Sequence, residues 1–80
     1  MQARIYVTPR KGILDPQGRA VEGALRSLGL AGVDRVHVGR YIVVEFDAPT
    51  RAAAEELVSK MCRELLANPN IEDYRYEVDP

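Results

Sequence analysis

The chain has 80 residues, a length that fits one small domain with a thin hydrophobic core. Its 11 basic and 12 acidic residues nearly cancel, so the chain lacks the positive charge on which nucleic-acid binding depends. No stretch approaches the roughly 20 apolar residues of a membrane span, and the first residues do not resemble a signal peptide, so we expect a cytoplasmic protein with neither a membrane nor a nucleic-acid partner.

The first predicted element is a strand over residues 3–8. Ala3, Ile5 and Val7 alternate with polar or aromatic residues, which is typical of a strand with one buried face. Pro9 has no backbone donor, so we expect it to end the strand.

A helix over residues 16–28 is predicted after the loop at residues 10–14. Asp15 can accept hydrogen bonds as an N-cap, and the fixed φ of Pro16 suits the first helical position. Gly29 can adopt the left-handed conformation that commonly ends a helix. Apolar residues at helical spacing predict one apolar stripe on this helix: Val21, Ala24, Leu25 and Leu28.

The segment from residue 33 to 46 fits two structures. One long central strand, with a kink or bulge at Gly39, would align five apolar residues on one face, interrupted by Arg40. Those residues are Val36, Val38, Ile42, Val44 and Phe46. A hairpin turn at Gly39 and Arg40 would instead place polar residues among the core positions. We favour the long strand, and the hairpin stays open as the alternative.

A second helix is predicted over residues 50–67, after a turn with two possible caps. Its apolar positions form a broad face, and Asn68 and Pro69 are expected to end it. A last strand over residues 71–78 has an aromatic face and a charged face. The aromatic face contains Tyr74 and Tyr76.

The element order is therefore β-α-β-α-β, and the fold class is α+β. We expect both helices on one face of a mainly antiparallel sheet, which leaves the other face and one edge uncovered. Such surfaces favour association, so we predict a homodimer or homotetramer.

The residues that could support catalysis are few. His37 is the only histidine and has no nearby nucleophile, so we interpret it as a surface or structural residue. Cys62 lies at the edge of the apolar stripe of the second helix and is expected in the core. No spacing suits a metal site. From the residues alone, we predict a protein that binds other chains and contributes no catalytic, cofactor or metal site.

Three stretches, read in order, carry a resemblance to a known family. They are YVTPRKGILDPQG at residues 6–18, VHVGRY at 36–41 and LLANPNIEDY at 65–74. Together they resemble the PurS family, the small subunit of phosphoribosylformylglycinamidine (FGAM) synthase. The resemblance extends over essentially the whole chain and implies one PurS-like domain over residues 1–80.

The resemblance implies a place in a ligase of purine biosynthesis that converts formylglycinamide ribonucleotide (FGAR), ATP and glutamine to FGAM, ADP, phosphate and glutamate. It implies a PurQ-type glutaminase and a PurL-type synthetase as partners. ATP and Mg²⁺ would bind in the large partner subunit, and this chain would bridge the two partners and assist ammonia transfer. The matching stretches supply these candidate partner contacts: Lys11, Gly12, Asp15, Pro16, Gly39, Arg40, Tyr41, Asn68 and Pro69.

Other functional classes fit the residues less well. A ferredoxin-like regulatory domain that binds a small molecule is the main alternative. A stand-alone enzyme would need nucleophile and base constellations, and an RNA-binding sheet would need basic residues beside its aromatic ones.

Overall fold

The computed structural model describes residues 1–12 and 15–80 as a three-stranded sheet with two helices. The order along the chain is β-α-β-α-β, as predicted. The elements are β1 (Gln2–Pro9), α1 (Pro16–Ser27), β2 (Arg40–Glu45), α2 (Arg51–Met61) and β3 (Glu72–Asp79). A short π-helical segment, Cys62–Leu66, continues α2.

The sheet has the spatial order β2-β1-β3, and both pairings are antiparallel. Ile5 on β1 is opposite Ile42 on one side and Tyr76 on the other. Because side chains alternate along a strand, this register places the apolar residues of all three strands on one face. The antiparallel sheet predicted from the sequence is confirmed.

The hydrophobic core lies between this face and α2. The core residues are Ala3, Ile5 and Val7 of β1, Ala54 and Val58 of α2, Cys62 and Ala67 beyond it, and Val78 of β3. Tyr74, Tyr76, Ile42 and Val44 pack around them. The alternation of each strand thus predicts the correct buried face, and Cys62 is buried as expected.

Both helices begin at side-chain caps. Asp15 Oδ1 accepts a hydrogen bond from the Gly18 backbone N–H at 3.0 Å, and Thr50 Oγ1 accepts one from the Ala53 N–H at 3.1 Å. Gly29 has a φ of 84°, the left-handed conformation predicted for it after α1. The predicted helix starts were therefore within one residue of the observed ones.

The segment before β2 differs from the prediction. The strand begins only at Arg40, and residues 33–39 have no regular secondary structure. Gly39 does not turn a hairpin either, because β2 pairs with β1. The central position that we expected for the 33–46 segment belongs to β1, and β2 is an edge strand. Residues 33–39 extend beyond the end of the ladder, so they have no strand partner in the described part of the chain.

Helix α1 also differs from the prediction that both helices cover the sheet. Among the described residues, none of α1 joins the core cluster, whereas α2 does. Three residues of the predicted stripe are exposed: Val21 at 39%, Leu28 at 76%, and Ala24. The molecule is elongated, with extents of 51 × 24 × 14 Å. The stripe is present, but its partner is not in the described part of this chain.

None of the helices in residues 1–12 and 15–80 has both the length and the apolar character needed to cross a membrane.

The one-sided core leads to a first prediction. Ile5→Ala should lower the free energy of unfolding by about 2–5 kcal/mol, because Ile5 is fully buried and its removal leaves a cavity. Val43→Ala is the control on the opposite face of the sheet, where Val43 is 45% exposed, and it should change stability by less than about 0.5 kcal/mol. Urea unfolding at a fixed protein concentration measures both, and equal losses would contradict the one-sided core.

Candidate partner-binding site

Most of the candidate residues lie at one end of the sheet, where β1 ends and β3 begins. Val7 is opposite Arg40 in one ladder, and Pro9 is opposite Glu72 in the other. The turn at residues 68–71 joins the helical layer to β3 at this end. The candidates near Gly39 and those in the turn therefore meet in space, although they are far apart in sequence.

An ion pair between Arg40 and Glu72 forms the centre of this end. Glu72 Oε1 accepts a hydrogen bond from Arg40 Nη2 at 2.8 Å and another from the Asn68 backbone N–H at 2.7 Å. Arg40 Nη2 also donates to the Leu66 carbonyl oxygen at 2.8 Å. The last carbonyls of a helix lack intrahelical partners, so Arg40 satisfies one of them and places a positive charge where the helix dipole favours it. We call Arg40, Glu72, Asn68 and Leu66 the clasp.

The turn after the helical layer is closed by Asn68. Its carbonyl oxygen accepts hydrogen bonds from the Ile71 N–H at 3.1 Å and the Glu72 N–H at 2.7 Å. Its side-chain Oδ1 accepts one from the Asn70 N–H at 3.1 Å. Pro69 is exposed and cannot donate a backbone hydrogen bond, which prevents the helix from continuing. The side chain of Asn68 thus stabilises the turn, and because it is exposed it is also accessible to a partner.

The loop after β1 approaches the same end. The Arg10 N–H donates to the Ile71 carbonyl oxygen at 2.9 Å, and Arg10 Nε lies 3.5 Å from Asp73 Oδ1. Lys11 and Gly12 are exposed, and Gly12 has a φ of 87°, which only glycine adopts without strain. These two candidates therefore follow the loop that reaches the clasp, but within the described residues they form no hydrogen bond or ion pair with it.

Asp15 has a structural role. In addition to capping α1 through Gly18, its Oδ2 accepts a hydrogen bond from the Val38 N–H at 2.9 Å. These backbone hydrogen bonds, first that of Gly18 and then that of Val38, hold the pKa of Asp15 below its usual value of 3.8. His37 Nδ1 lies 3.9 Å from the same oxygen. Only 11% of the Asp15 side chain is exposed, so little of it can contact a partner, whereas Pro16 at the start of α1 is exposed.

Gly39 and Tyr41 occupy different surroundings from the clasp. A Cβ atom on Gly39 would collide with the carbonyl oxygen of Val7, so the close approach of the two backbones requires glycine. Tyr41 lies on the uncovered face of the sheet, with its ring centroid 5.1 Å from that of Tyr6. The guanidinium of Arg75 lies 4.0 Å from the Tyr6 ring on the same face. The candidates thus divide between two faces of the sheet.

This arrangement is suited to binding. The described ranges contain no group of three or more His, Cys, Asp or Glu residues that could hold a metal ion. Burial raises the pKa of the Cys62 thiol, which disfavours the reactive thiolate. His37 is exposed and lies near a carboxylate that is already engaged by two backbone donors. Charged and aromatic side chains at the end of the sheet are the groups available to a partner.

Sequence reasoning missed Glu72 and Arg10. A signal for Glu72 was available: it precedes Tyr74 and Tyr76 at the same strand parity, so it is a carboxylate at a position directed toward the core. Its partner Arg40 is likewise a charged residue at a core-facing position, because it has the same strand parity as Ile42. The contact itself crosses 32 residues of sequence, and no local pattern reveals it.

Comparisons with known proteins agree with the resemblance noted in the three stretches. The model of the PurS family, described as phosphoribosylformylglycinamidine (FGAM) synthase, matches residues 2–80. A PurS subunit of phosphoribosylformylglycinamidine synthase from Synechocystis sp. is 47% identical over 75 residues, which cover 94% of this chain and 75% of that protein.

The fold is similar to those of solved PurS structures. Bacillus subtilis PurS matches with a TM-score of 0.88 and 42% identity, covering 99% of this chain and 98% of that chain. A chain in the structure of PurLQS from Thermotoga maritima matches with a TM-score of 0.85 and 34% identity, covering 95% and 93%.

The lowered pKa of Asp15 leads to a second prediction. The folded pKa lies below the unfolded one, so the carboxylate stabilises the fold fully above its unfolded pKa, and this stabilisation is lost as the pH falls through the folded pKa. Unfolding measurements should therefore show that Asp15→Asn costs stability at neutral pH, and that the cost shrinks below about pH 4. Thr50→Ala removes an uncharged cap and is the control, with a cost that stays constant over this range. A constant cost for Asp15→Asn would contradict the interpretation.

Proposed function

Because this chain belongs to the PurS family, we propose that it joins the glutaminase and synthetase subunits of FGAM synthase and assists the transfer of ammonia between them. It is the non-catalytic small subunit of this ligase of purine biosynthesis and assembles with PurL- and PurQ-type subunits. The family match over residues 2–80 is the observation that carries the proposal.

Ammonia transfer explains why such a ligase needs an adaptor. Ammonia that escapes into neutral water becomes ammonium and loses the lone pair with which it attacks. A protected path requires that the glutaminase and synthetase sites be held in a fixed relation. The small, sheet-based structure described above offers a rigid body for that task. ATP and Mg²⁺ belong, in this proposal, to the large synthetase subunit, and the complex works in the cytoplasm, where ATP and glutamine are available.

The exposed candidates are the proposed partner contacts of this chain. The Arg40 side chain is 55% exposed, and Tyr41 as a residue is 58% exposed. The two lie on opposite faces of β2. Lys11, Asn68 and Pro69 are exposed at the same end of the sheet. Asp15 and Gly39 have internal roles in capping and backbone packing, so their contribution to partner binding is indirect.

A second copy of this chain is the proposed partner of α1. The stripe on α1 includes Leu28 and is continued by Leu30, which are 76% and 49% exposed. Residues 33–39 have no strand partner among residues 1–12 and 15–80. An apolar helix face beside an unpaired extended segment can be covered by a copy of the same elements across a twofold axis, which supports a homodimer or a homotetramer.

The third prediction tests the proposed function directly. Glutamine-dependent FGAM formation by the PurL- and PurQ-type subunits of the same source should require this chain. Turnover of the synthetase with added ammonia should not require it, because free ammonia bypasses the glutaminase. A glutamine-dependent rate that is unchanged by this chain, without formation of a ternary complex, would refute the proposal.

The fourth prediction concerns self-association. Leu28→Ser should raise the dissociation constant of the homo-oligomer at least about tenfold, because the lost leucine no longer buries its side chain between copies. Leu65→Ser is the matched control, since Leu65 is 82% exposed but lies outside α1. Sedimentation velocity over a concentration series measures both variants. A larger effect of Leu65→Ser would place the contact between copies elsewhere.

A further inference from the structure

Glu72 connects two parts of the chain that are far apart in sequence. Its side chain is 18% exposed, and one of its carboxylate oxygens binds both the Arg40 guanidinium and the Asn68 backbone N–H. The same two residues are separate candidates from different stretches of the sequence. Glu72, which was not a candidate, therefore holds the two together, in addition to the bond from Arg40 to the Leu66 carbonyl oxygen.

The clasp also sets the orientation of Arg40. Both of its hydrogen bonds, to Glu72 and to the Leu66 carbonyl oxygen, use the same terminal nitrogen, Nη2. The side chain as a whole is 55% exposed, and among the described residues Nη1 has no hydrogen-bond partner. Both bidentate edges of a guanidinium include Nη2, so a partner carboxylate can accept a single charge-assisted hydrogen bond from Nη1, which the clasp already orders at a lower entropic cost than in a free arginine.

The two ends of the sheet differ in charge, which indicates the chemistry of a partner. The end with the clasp contains the basic residues Arg10, Lys11 and Arg40 and the acidic residues Asp73 and Glu72, which pair with Arg10 and Arg40. The other end has an acidic excess, although Arg4 pairs with two of its carboxylates and the N-terminal ammonium lies beside it; its acidic residues are Glu45, Asp47, Glu77 and Asp79. The chain as a whole has a formal charge of −1, so the basic end is a local feature.

We propose that Glu72 is a positioning residue, which holds Arg40 so that its Nη1 binds a carboxylate of a partner subunit in the ligase complex. The inference rests on the proposed function, because the partner subunit is the one that FGAM synthase supplies. Glu72 itself need not touch the partner. Its role is to hold Nη2 in the clasp, which orders Nη1 for a charge-assisted hydrogen bond to an aspartate or glutamate side chain of the partner.

The test measures assembly of this chain with the PurL- and PurQ-type subunits together, by titration calorimetry at low and high salt. Arg40→Gln should weaken assembly about tenfold, as expected for the loss of a charge-assisted contact. Arg40→Lys keeps the charge but has one terminal nitrogen, so the nitrogen that binds Glu72 would also have to bind the partner, and the variant should recover only part of the affinity. Glu72→Gln should weaken assembly about three- to tenfold, because it releases Arg40 although it increases the positive charge of this end.

A double-mutant cycle separates positioning from general destabilisation. If Glu72 acts through Arg40, Glu72→Gln should have no further effect in the Arg40→Gln background. Glu55→Gln is the charge-matched control, because it removes an exposed carboxylate of α2 that pairs only at long range with Arg51, 3.8 Å away. Unfolding curves of the same proteins show whether a loss of binding follows a loss of stability.

Each outcome decides between the two proposals. Unchanged assembly of Arg40→Gln and Glu72→Gln, with normal assembly of the wild-type chain, would overturn the positioning role and leave the proposed function intact. Additive effects in the cycle, or an equal loss in Glu55→Gln, would also overturn it. Absence of assembly by the wild-type chain would refute the proposed function, and the positioning role with it. A shift in self-association alone would assign the clasp to a contact between copies and overturn the inference.

Discussion

The structure depends on the burial of one face of β1. Ala3, Ile5 and Val7 are fully buried, and β1 is the strand that both other strands pair with. Helix α2 covers this face with Ala54 and Val58. A chain of 80 residues can complete one such layer and little more, because the buried fraction of a domain rises with its size and is low at this length. The exposed stripe of α1 and the uncovered face of the sheet are consequences of this limit, and they explain why a stable small chain of this kind is a subunit.

The uncovered surfaces differ in chemistry, and the difference suggests a division of roles. The α1 surface is apolar, with Leu28 and Leu30 exposed, which resembles the lasting interfaces between copies of one chain. The end with the clasp is polar and charged, and it contains Arg40 together with exposed amides. Polar interfaces of this kind suit specific docking between subunits that fold separately, since charges set orientation and rate more than affinity. The fold can therefore support self-association and partner binding at separate places.

Local patterns predicted most of the fold, and contacts between distant segments account for what they missed. The period-2 alternation of β1 and β3 predicted the buried face because burial on one side leaves a periodic signal. Asp15 and Gly29 predicted the ends of α1 because caps act within a few residues. The extent of β2 was wrong, because the apolar alternation continues over residues 33–39, whereas the pairing with β1 ends at Arg40. The family resemblance identified the function, whereas the clasp required the structure, because Arg40 and Glu72 are joined only by the tertiary fold.

Glu72 occupies a position where the fold alone would favour an apolar residue. It shares its parity with Tyr74 and Tyr76, and an apolar pair in place of Arg40 and Glu72 would avoid the cost of desolvating two charges. The structure offsets this cost with three hydrogen bonds, from Arg40 to Glu72, from Arg40 to Leu66 and from Asn68 to Glu72. Such a network contributes little net stability at a half-exposed site. It does contribute a defined orientation of the guanidinium, and that is a property which a binding surface requires and a hydrophobic core does not.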